Sequence, residues 1–212
     1  MAALAAAGAR VPRVLALGQD ELVLERLELR REGDYAELAR MLARVHRVTG
    51  PRYGWPRDNY IGLGVQANGW CDDWARFWLE RRMRPQLALA RRKGFDLPEP
   101  SLALLDGHHP APSLLHGDLW SGNAGFCGGR PVLFDPAVYY GDRECDLAMT
   151  ELFGGFPRAF YEAYGEAYPL ASGYEKRKTL YNLYHLLNHL NLFGSSYLPQ
   201  VRGALRLLLD GL

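Results

Sequence analysis

The chain has 212 residues, 48% of them hydrophobic, and a formal net charge of +1. That length buries a sizeable core as one large domain or one domain with a fragment, and the balanced charge excludes a whole-chain electrostatic case for nucleic acid or membrane. Three cysteines without CxxC spacing indicate neither a disulfide framework nor a zinc site, and with no bilayer-length apolar run or charged signal-peptide start the chain is expected to be cytoplasmic.

Residues 2–7 favour a helix that Gly8 ends. Val11 to Leu17 and Glu21 to Leu27, joined by Gly18-Gln19-Asp20, predict an antiparallel hairpin. Asp34 caps the next helix. Glu37 stands at its third position in a capping-box arrangement, Leu38, Met41, Leu42 and Val45 form the apolar stripe, and Gly50-Pro51 stops it. Residues 51–70 are rich in Gly, aromatic and amide side chains and have no period, which predicts an ordered functional loop. Asp72-Asp73 open a helix with Trp74, Phe77, Trp78 and Arg81 at helical spacing, kinked at Pro85 and ended at Gly94. The basic clusters along it (Arg81, Arg82, Arg84; Arg91, Arg92, Lys93) read as a solvated face. A short apolar helical piece reaches Leu105, and His108-His109 fall in an exposed loop before Pro110.

The stretch from Leu114 to Ala137 carries the chemistry. An apolar run delivers His116-Gly117-Asp118-Leu119-Trp120-Ser121-Gly122-Asn123, and Val132-Leu133-Phe134-Asp135 follows a Gly-rich turn. Asp118 and Asn123 stand at the interval of a kinase catalytic loop, where an Asp takes the hydroxyl proton and an Asn holds a metal. Asp135, at the end of the next strand, offers the oxygen ligand that Mg²⁺ favours. Gly125 to Val132 predicts a tight hairpin that brings Asn123 and Asp135 together. Beyond it the chain reads as helices: Asp146 to Phe153, Pro157 to Tyr168, Tyr174 to Phe193 capped by Gly194, and Leu198 to Leu209. His185 and His189 have i, i+4 spacing but lack the zincin glutamate between them, so they read as core or surface and not as metal ligands.

The string from His116 to Asn123 resembles the catalytic loop of the fructosamine kinase (ketosamine 3-kinase) family, relatives of the aminoglycoside phosphotransferases. The likeness continues through Asp135-Pro136-Ala137, Tyr139 to Glu144, Asp146 to Thr150, Leu152 to Phe156, Asp58 to Gly62, and the pattern Trp70, Asp73-Trp74, Phe77, Arg84-Pro85-Gln86. It implies an α+β, protein-kinase-like fold with an incomplete small β lobe and a mainly helical large lobe carrying the catalytic-loop hairpin. It also implies ATP- and Mg²⁺-dependent phosphorylation, at the 3-position, of the sugar on a ketosamine. The substrate is then a glycated amine or glycated protein lysine, and the role is deglycation repair. By the same likeness Asp118 orients the hydroxyl and takes its proton, and beside Mg²⁺ its pKa is expected to lie low. Asn123 and Asp135 hold the metal. Glu25, Arg26 and Leu27 offer hinge groups to adenine, and Asp146 braces the loop backbone. His116 reads as a loop-bracing hydrogen bonder, while Trp120 either stacks on a sugar or packs.

Kinases carry a Gly-rich loop, a strand lysine and a helix glutamate. None is found here, since the lysines are Lys93, Lys176 and Lys178, all in helical patterns. The chain is therefore expected to begin partway through the small lobe, with Met1 a misplaced or alternative start or the chain truncated. Residues 1–30 are then a remnant of the N-terminal lobe and hinge, and 31–212 the catalytic lobe. Exposed strand edges would invite pairing with another chain, a homodimer included. Two further readings stand beside the ketosamine kinase: a catalytically impaired module that binds sugar or nucleotide, and a small-molecule kinase of the aminoglycoside or choline type.

Overall fold

Leu114 and Leu115 are neighbours in sequence that face opposite ways, and the fold is built around that alternation. In the computed structural model, which describes residues 1–19 and 21–210, both lie on β5 (Ser113–Leu115), a strand buried at every position. Successive side chains of a strand point to opposite faces. Leu115 accordingly joins one core and Leu114 another. Burying a leucine on either side contributes about 1.5–3 kcal/mol, so β5 is fixed from both faces.

The elements preceding β5 supply parts of both cores. Helix α1 (Ala2–Ala6) is followed by β1 (Val14–Leu17) and β2 (Leu22–Leu24), then α2 (Tyr35–His46). A second hairpin, β3 (Asn59–Ile61) and β4 (Gly64–Gln66), leads to α3 (Trp74–Trp78) and α4 (Arg84–Arg92). After β5 come β6 (Ala124–Cys127), β7 (Arg130–Leu133), β8 (Tyr139–Gly141), α5 (Glu144–Leu152), α6 (Arg158–Ala167), α7 (Tyr174–Phe193) and α8 (Leu198–Asp210). Trp74, Phe77 and Trp78 of α3 pack with Leu183, Leu187 and Leu190 of α7 and with α8 in the Leu115 core. Leu4, the α2 stripe Leu38, Leu42 and Val45, and Phe160 and Tyr164 of α6 make the Leu114 core. β8 pairs antiparallel with β5, Leu115 opposite Tyr139. It repeats the alternation, Tyr139 to one core and Tyr140 against the other.

Several elements follow their sequence signals closely. Asp34 caps α2 by accepting from the Glu37 N–H, and Asp73 caps α3 through the Arg76 N–H. Gly128 and Gly129, both at positive φ, turn the β6–β7 hairpin, as a two-residue loop matched to strand twist requires.

Other elements differ from expectation for identifiable reasons. The first hairpin is shorter than 11–27, because Pro12 has no N–H to continue the ladder. Its turn residue Asp20 lies outside the described residues. Residues 51–70 contain the β3–β4 hairpin, turned at Gly62. The interruption near Pro85 is a π-helical segment, Leu79–Met83, which runs straight into α4, so Pro85 follows a local widening of a continuous helix. Arg82, within that segment, is buried and not solvated. Its guanidinium lies 4.1 Å over the Tyr139 ring and donates to Asn68 Oδ1 at 2.9 Å. β8 carries no sequence signal beyond two tyrosines. Helix α5 starts two residues early, at Glu144, and α6 begins at Arg158 with Pro157 as its cap. Among the described residues no helix is long and apolar enough to cross a membrane.

Because β5 joins the two cores, damage to either one should be felt in both. Leu42→Ala and Leu187→Ala are each expected to lower unfolding free energy by about 2–5 kcal/mol. In urea titrations the fluorescence of Trp74 and Trp78, which sit in the Leu115 core, should report the Leu42→Ala loss in full. A separate, earlier transition of the Leu114 core seen only by circular dichroism would refute the coupling.

Candidate active site

The loop that follows β5 is held from beneath by one carboxylate. Asp146, on the first turn of α5, accepts the His116 N–H at 2.7 Å and the Gly117 N–H at 2.8 Å. It also lies 3.0 Å from His46 Nε2 on α2. Burial works to raise its pKa, but the hydrogen bond and electrostatic pull of His46, aided by His116 and the loop N–H groups, outweigh it and hold the carboxyl below the usual range. With Nε2–H given to Asp146, His46 Nδ1 accepts from the Tyr164 hydroxyl at 2.7 Å, and that oxygen accepts from Arg143 at 3.1 Å. His116 is likewise buried and braced: its Nε2–H donates to the Phe134 carbonyl at 3.0 Å, and its Nδ1 accepts the Asp118 N–H at 3.3 Å. Burial lowers its pKa, so the ring is neutral and occupied as a brace.

Backbone conformation is equally constrained. Gly117 has φ +84°, and a Cβ there would stand 2.1 Å from the Ala137 carbonyl. Asp135 is the one non-glycine at positive φ among the described residues, φ +53°, a left-handed conformation whose cost is borne by surrounding contacts. Two and three residues on, the chain is held by the amide-rich loop. Asn59 Nδ2 donates to the Val138 carbonyl at 2.8 Å, and Gln66 Nε2 to that of Ala137 at 3.0 Å, while Tyr184 fixes Gln66 from α7. The amides of residues 51–70 are thus a rack for the chain that leaves Asp135.

Asp118, Asn123 and Asp135 line one cavity of about 160 Å³, with Trp120, Asn188 and His189 among the other walls. Asn123 Nδ2 donates to the Asp118 carbonyl at 2.9 Å, to its carboxylate Oδ2 at 3.2 Å and towards the Asp135 carbonyl at 3.5 Å. Nδ2 is therefore turned inward and Oδ1 is left without a donor among the described residues. Burial first, and then the negative charge of Asp135, push Asp118 up to about 7, only partly offset by the Asn123 hydrogen bond. The protein by itself thus moves this carboxyl opposite to the low value expected beside Mg²⁺. Two converging carboxylates with an amide oxygen beside them are a hard-oxygen donor set that suits that cation. Trp120 is 38% exposed and leans edge-on to Phe153 at 6.4 Å, so it both packs and faces the cavity.

The structure distributes the remaining candidates as follows. Glu25 is tied to Arg13, through its carboxylate at 3.1 Å and its N–H at 2.8 Å, whereas the N–H groups of Arg26 and Leu27 meet no partner among the described residues. None of the three lines the Asp118 cavity. His108 is not in an exposed loop: its Nε2 sits 2.6 Å from Asp142 Oδ2, which also accepts from Tyr181. Glu144 alongside is gripped by the Arg177 fork at 2.7 and 2.8 Å. That group can be drawn as a metal cluster, but its oxygens are already engaged by protein donors. Sequence reasoning missed His46, whose signal was a histidine on the apolar stripe of α2. It also left His185 and Asn188 as ordinary helix residues.

The fructosamine kinase family model matches residues 1–211. The chain belongs to the fructosamine kinase family. A relative in Synechocystis named a probable ketoamine kinase is 49% identical, across 93% of this chain and 72% of its own length. The chloroplastic protein-ribulosamine 3-kinase of Arabidopsis thaliana is 45% identical, across 78% of this chain and 54% of its own. A solved structure from Haemophilus somnus that carries the name fructosamine-3-kinase superposes with a TM-score of 0.90 at 34% identity, covering 98% of this chain and 76% of that one. Choline kinases and aminoglycoside phosphotransferases share the protein-kinase-like fold at far lower identity, a likeness of architecture alone.

Burial at the site has a consequence for acid stability. His185 of α7 is buried, and desolvation, with a smaller push from His189, brings its imidazole down to about 3. An unfolded histidine takes its proton near 6.5. Between those values the unfolded chain binds more protons, so the stability of the neutral ring is complete above about 6.5 and is lost as pH falls towards 3. Urea midpoints are expected to decline from pH 6.5 to 5, and to decline less in His185→Asn. Equal slopes in the two proteins would show that another group controls acid unfolding.

Proposed function

We propose that this chain transfers the γ-phosphoryl group of ATP to the 3-hydroxyl of the sugar in a ketosamine, carried by a small glycated amine or a glycated protein lysine. The observation that carries the reading is the convergence of Asp118, Asn123 and Asp135 on one cavity at the end of a braced loop. Family membership supports the phosphotransfer, and the names of the relatives support a ketosamine acceptor.

Asp118 orients the acceptor hydroxyl and receives its proton as the oxygen bonds to phosphorus and the bond from phosphorus to the leaving ADP oxygen breaks. Most of its contribution is positional, since a correctly aimed hydroxyl removes much of the entropic barrier. Asn123 Oδ1 and the Asp135 carboxylate would hold Mg²⁺, which when bound supplies charge neutralisation for the phosphate oxygens. The free N–H groups of Arg26 and Leu27 are the hinge donors available to adenine. Trp120 offers its exposed face to the sugar. Phosphate at the 3-position destabilises the adduct and frees the amine, which makes the role one of repair in the cytoplasm.

A coupled ATPase assay with a fructosyl-amine tests the assignment. Asp118→Asn is expected to reduce kcat by about 10²–10⁴-fold without changing the urea midpoint downwards. Retention of acceptor-dependent turnover in that variant would overturn the role given to Asp118. Asp135→Asn should raise the Mg²⁺ concentration needed for half-maximal binding of nucleotide, read by calorimetric titration with ADP. An unchanged Mg²⁺ requirement would remove Asp135 from the metal site.

A further inference from the structure

The two carboxylate oxygens of Asp118 have unequal surroundings. Oδ2 accepts from Asn123 at 3.2 Å. Oδ1 has no hydrogen-bond donor among the described residues, and its near neighbour on α7 is His185 Nδ1, 3.9 Å away. That nitrogen is one of six buried side-chain nitrogen or oxygen atoms without a partner among the described residues, and the one that faces Asp118. His185 is 4% exposed, and its Nδ1 is buried with no hydrogen-bond partner. A buried polar atom left unpaired is destabilising, because it has given up water without gaining a partner. The separation exceeds an ordinary N–H···O bond by about 1 Å.

α7 around His185 is held in place. Tyr184 donates to Gln66 at 2.9 Å, His189 Nδ1 donates to the His185 carbonyl at 2.8 Å, and Asn188 accepts from Gln86 at 3.3 Å. Asp118 instead stands on a loop at the cavity wall, its side chain 17% exposed. A small movement of the Asp118 carboxylate would therefore complete the bond, with the helix as the fixed member. His185 does not line the cavity, so it reaches the reacting atoms only through Asp118.

We propose that His185 is a positioning residue for phosphoryl transfer: its Nδ1–H closes on Asp118 Oδ1 when the acceptor sugar enters the cavity. The proposal rests on Asp118 being the group that receives the hydroxyl proton. Asn123 and His185 then hold the carboxylate by its two oxygens and fix its plane, leaving a lone pair of Oδ2 aimed at the acceptor hydroxyl. Burial keeps the ring neutral, so it donates a hydrogen without adding a positive charge that would weaken Asp118 as a proton acceptor.

Three substitutions separate this role from space filling. Asparagine places an amide nitrogen where Nδ1 stands, glutamine places one where Nε2 stands, and phenylalanine fills the space with no donor. In the fructosyl-amine assay His185→Asn should stay within about 3-fold of the parent in kcat. His185→Gln and His185→Phe should lose about 10- to 100-fold in kcat, the scale of a misplaced reacting group, with KM for the acceptor little changed. An order set by side-chain size, with phenylalanine best and asparagine worst, or equal activity in all three, overturns the proposal. The hydrogen bond is also read without turnover, by ¹⁵N–¹H spectra of the histidine rings with fructosyl-amine and Mg-ADP added. A protonated His185 Nδ1 with a downfield proton appearing on addition supports the bond, and a ring protonated only at Nε2 throughout overturns it. If the parent chain shows that signal but no turnover, the bond stands and the catalytic reading of the site falls.

Discussion

The interaction on which the site depends is the buried carboxylate of Asp146. It accepts two consecutive loop N–H groups and faces His46, so one side chain joins α5, the His116–Asn123 loop and α2. A buried anion is costly unless its lone pairs are met by donors, and here each oxygen is met. The supporting partners extend outward through Tyr164 to Arg143. Removing the carboxylate would leave two buried amides and the His46 Nε2–H without partners, a larger loss than any single hydrogen bond contributes. The loop conformation that presents Asp118 is in this sense set from behind.

From the other side the site is fixed by packing. β5 and β8 lie on the seam between two cores and alternate residue by residue between them. The His116–Gly117 turn follows within two residues of that seam, which leaves little freedom for the chain to drift before Asp118. The amide rack of Asn59 and Gln66 does the same for the residues after Asp135. The candidate site therefore stands between two independently anchored backbones, joined across the cavity by Asn123.

Much of this was legible from residues alone. Capping at Asp34, the Gly128-Gly129 turn and the extent of the long helix α7 are encoded locally, in side chains that act within a few positions of themselves. The convergence of Asn123 with Asp135 was also readable, because a tight hairpin separates them. What was not readable depends on distant partners. Arg82 looks like a surface arginine until Tyr139 and Asn68 arrive to cover it. His108 looks like a loop residue until Asp142 meets it from 34 positions away. The hairpin in residues 59–66 was hidden because its strands are three residues each, too short for a period to show. The upward push on Asp118 from the protein alone was not readable either, because burial and a neighbouring carboxylate are tertiary facts.

The use of the loop amides as donors to Asp146 has an electrostatic corollary. In many phosphate sites backbone N–H groups near a loop supply the positive potential that draws the anion. Here those of His116 and Gly117 point away from the cavity, and no lysine or arginine is among the residues that line it. Lys93 and Lys178 are engaged at carbonyl and carboxylate partners on other surfaces. The walls around Asp118 and Asp135 thus present a field that repels a polyphosphate. Without a facing side-chain cation among the lining residues, the two carboxylates would attract a divalent cation, and an anionic group would meet them favourably only across it.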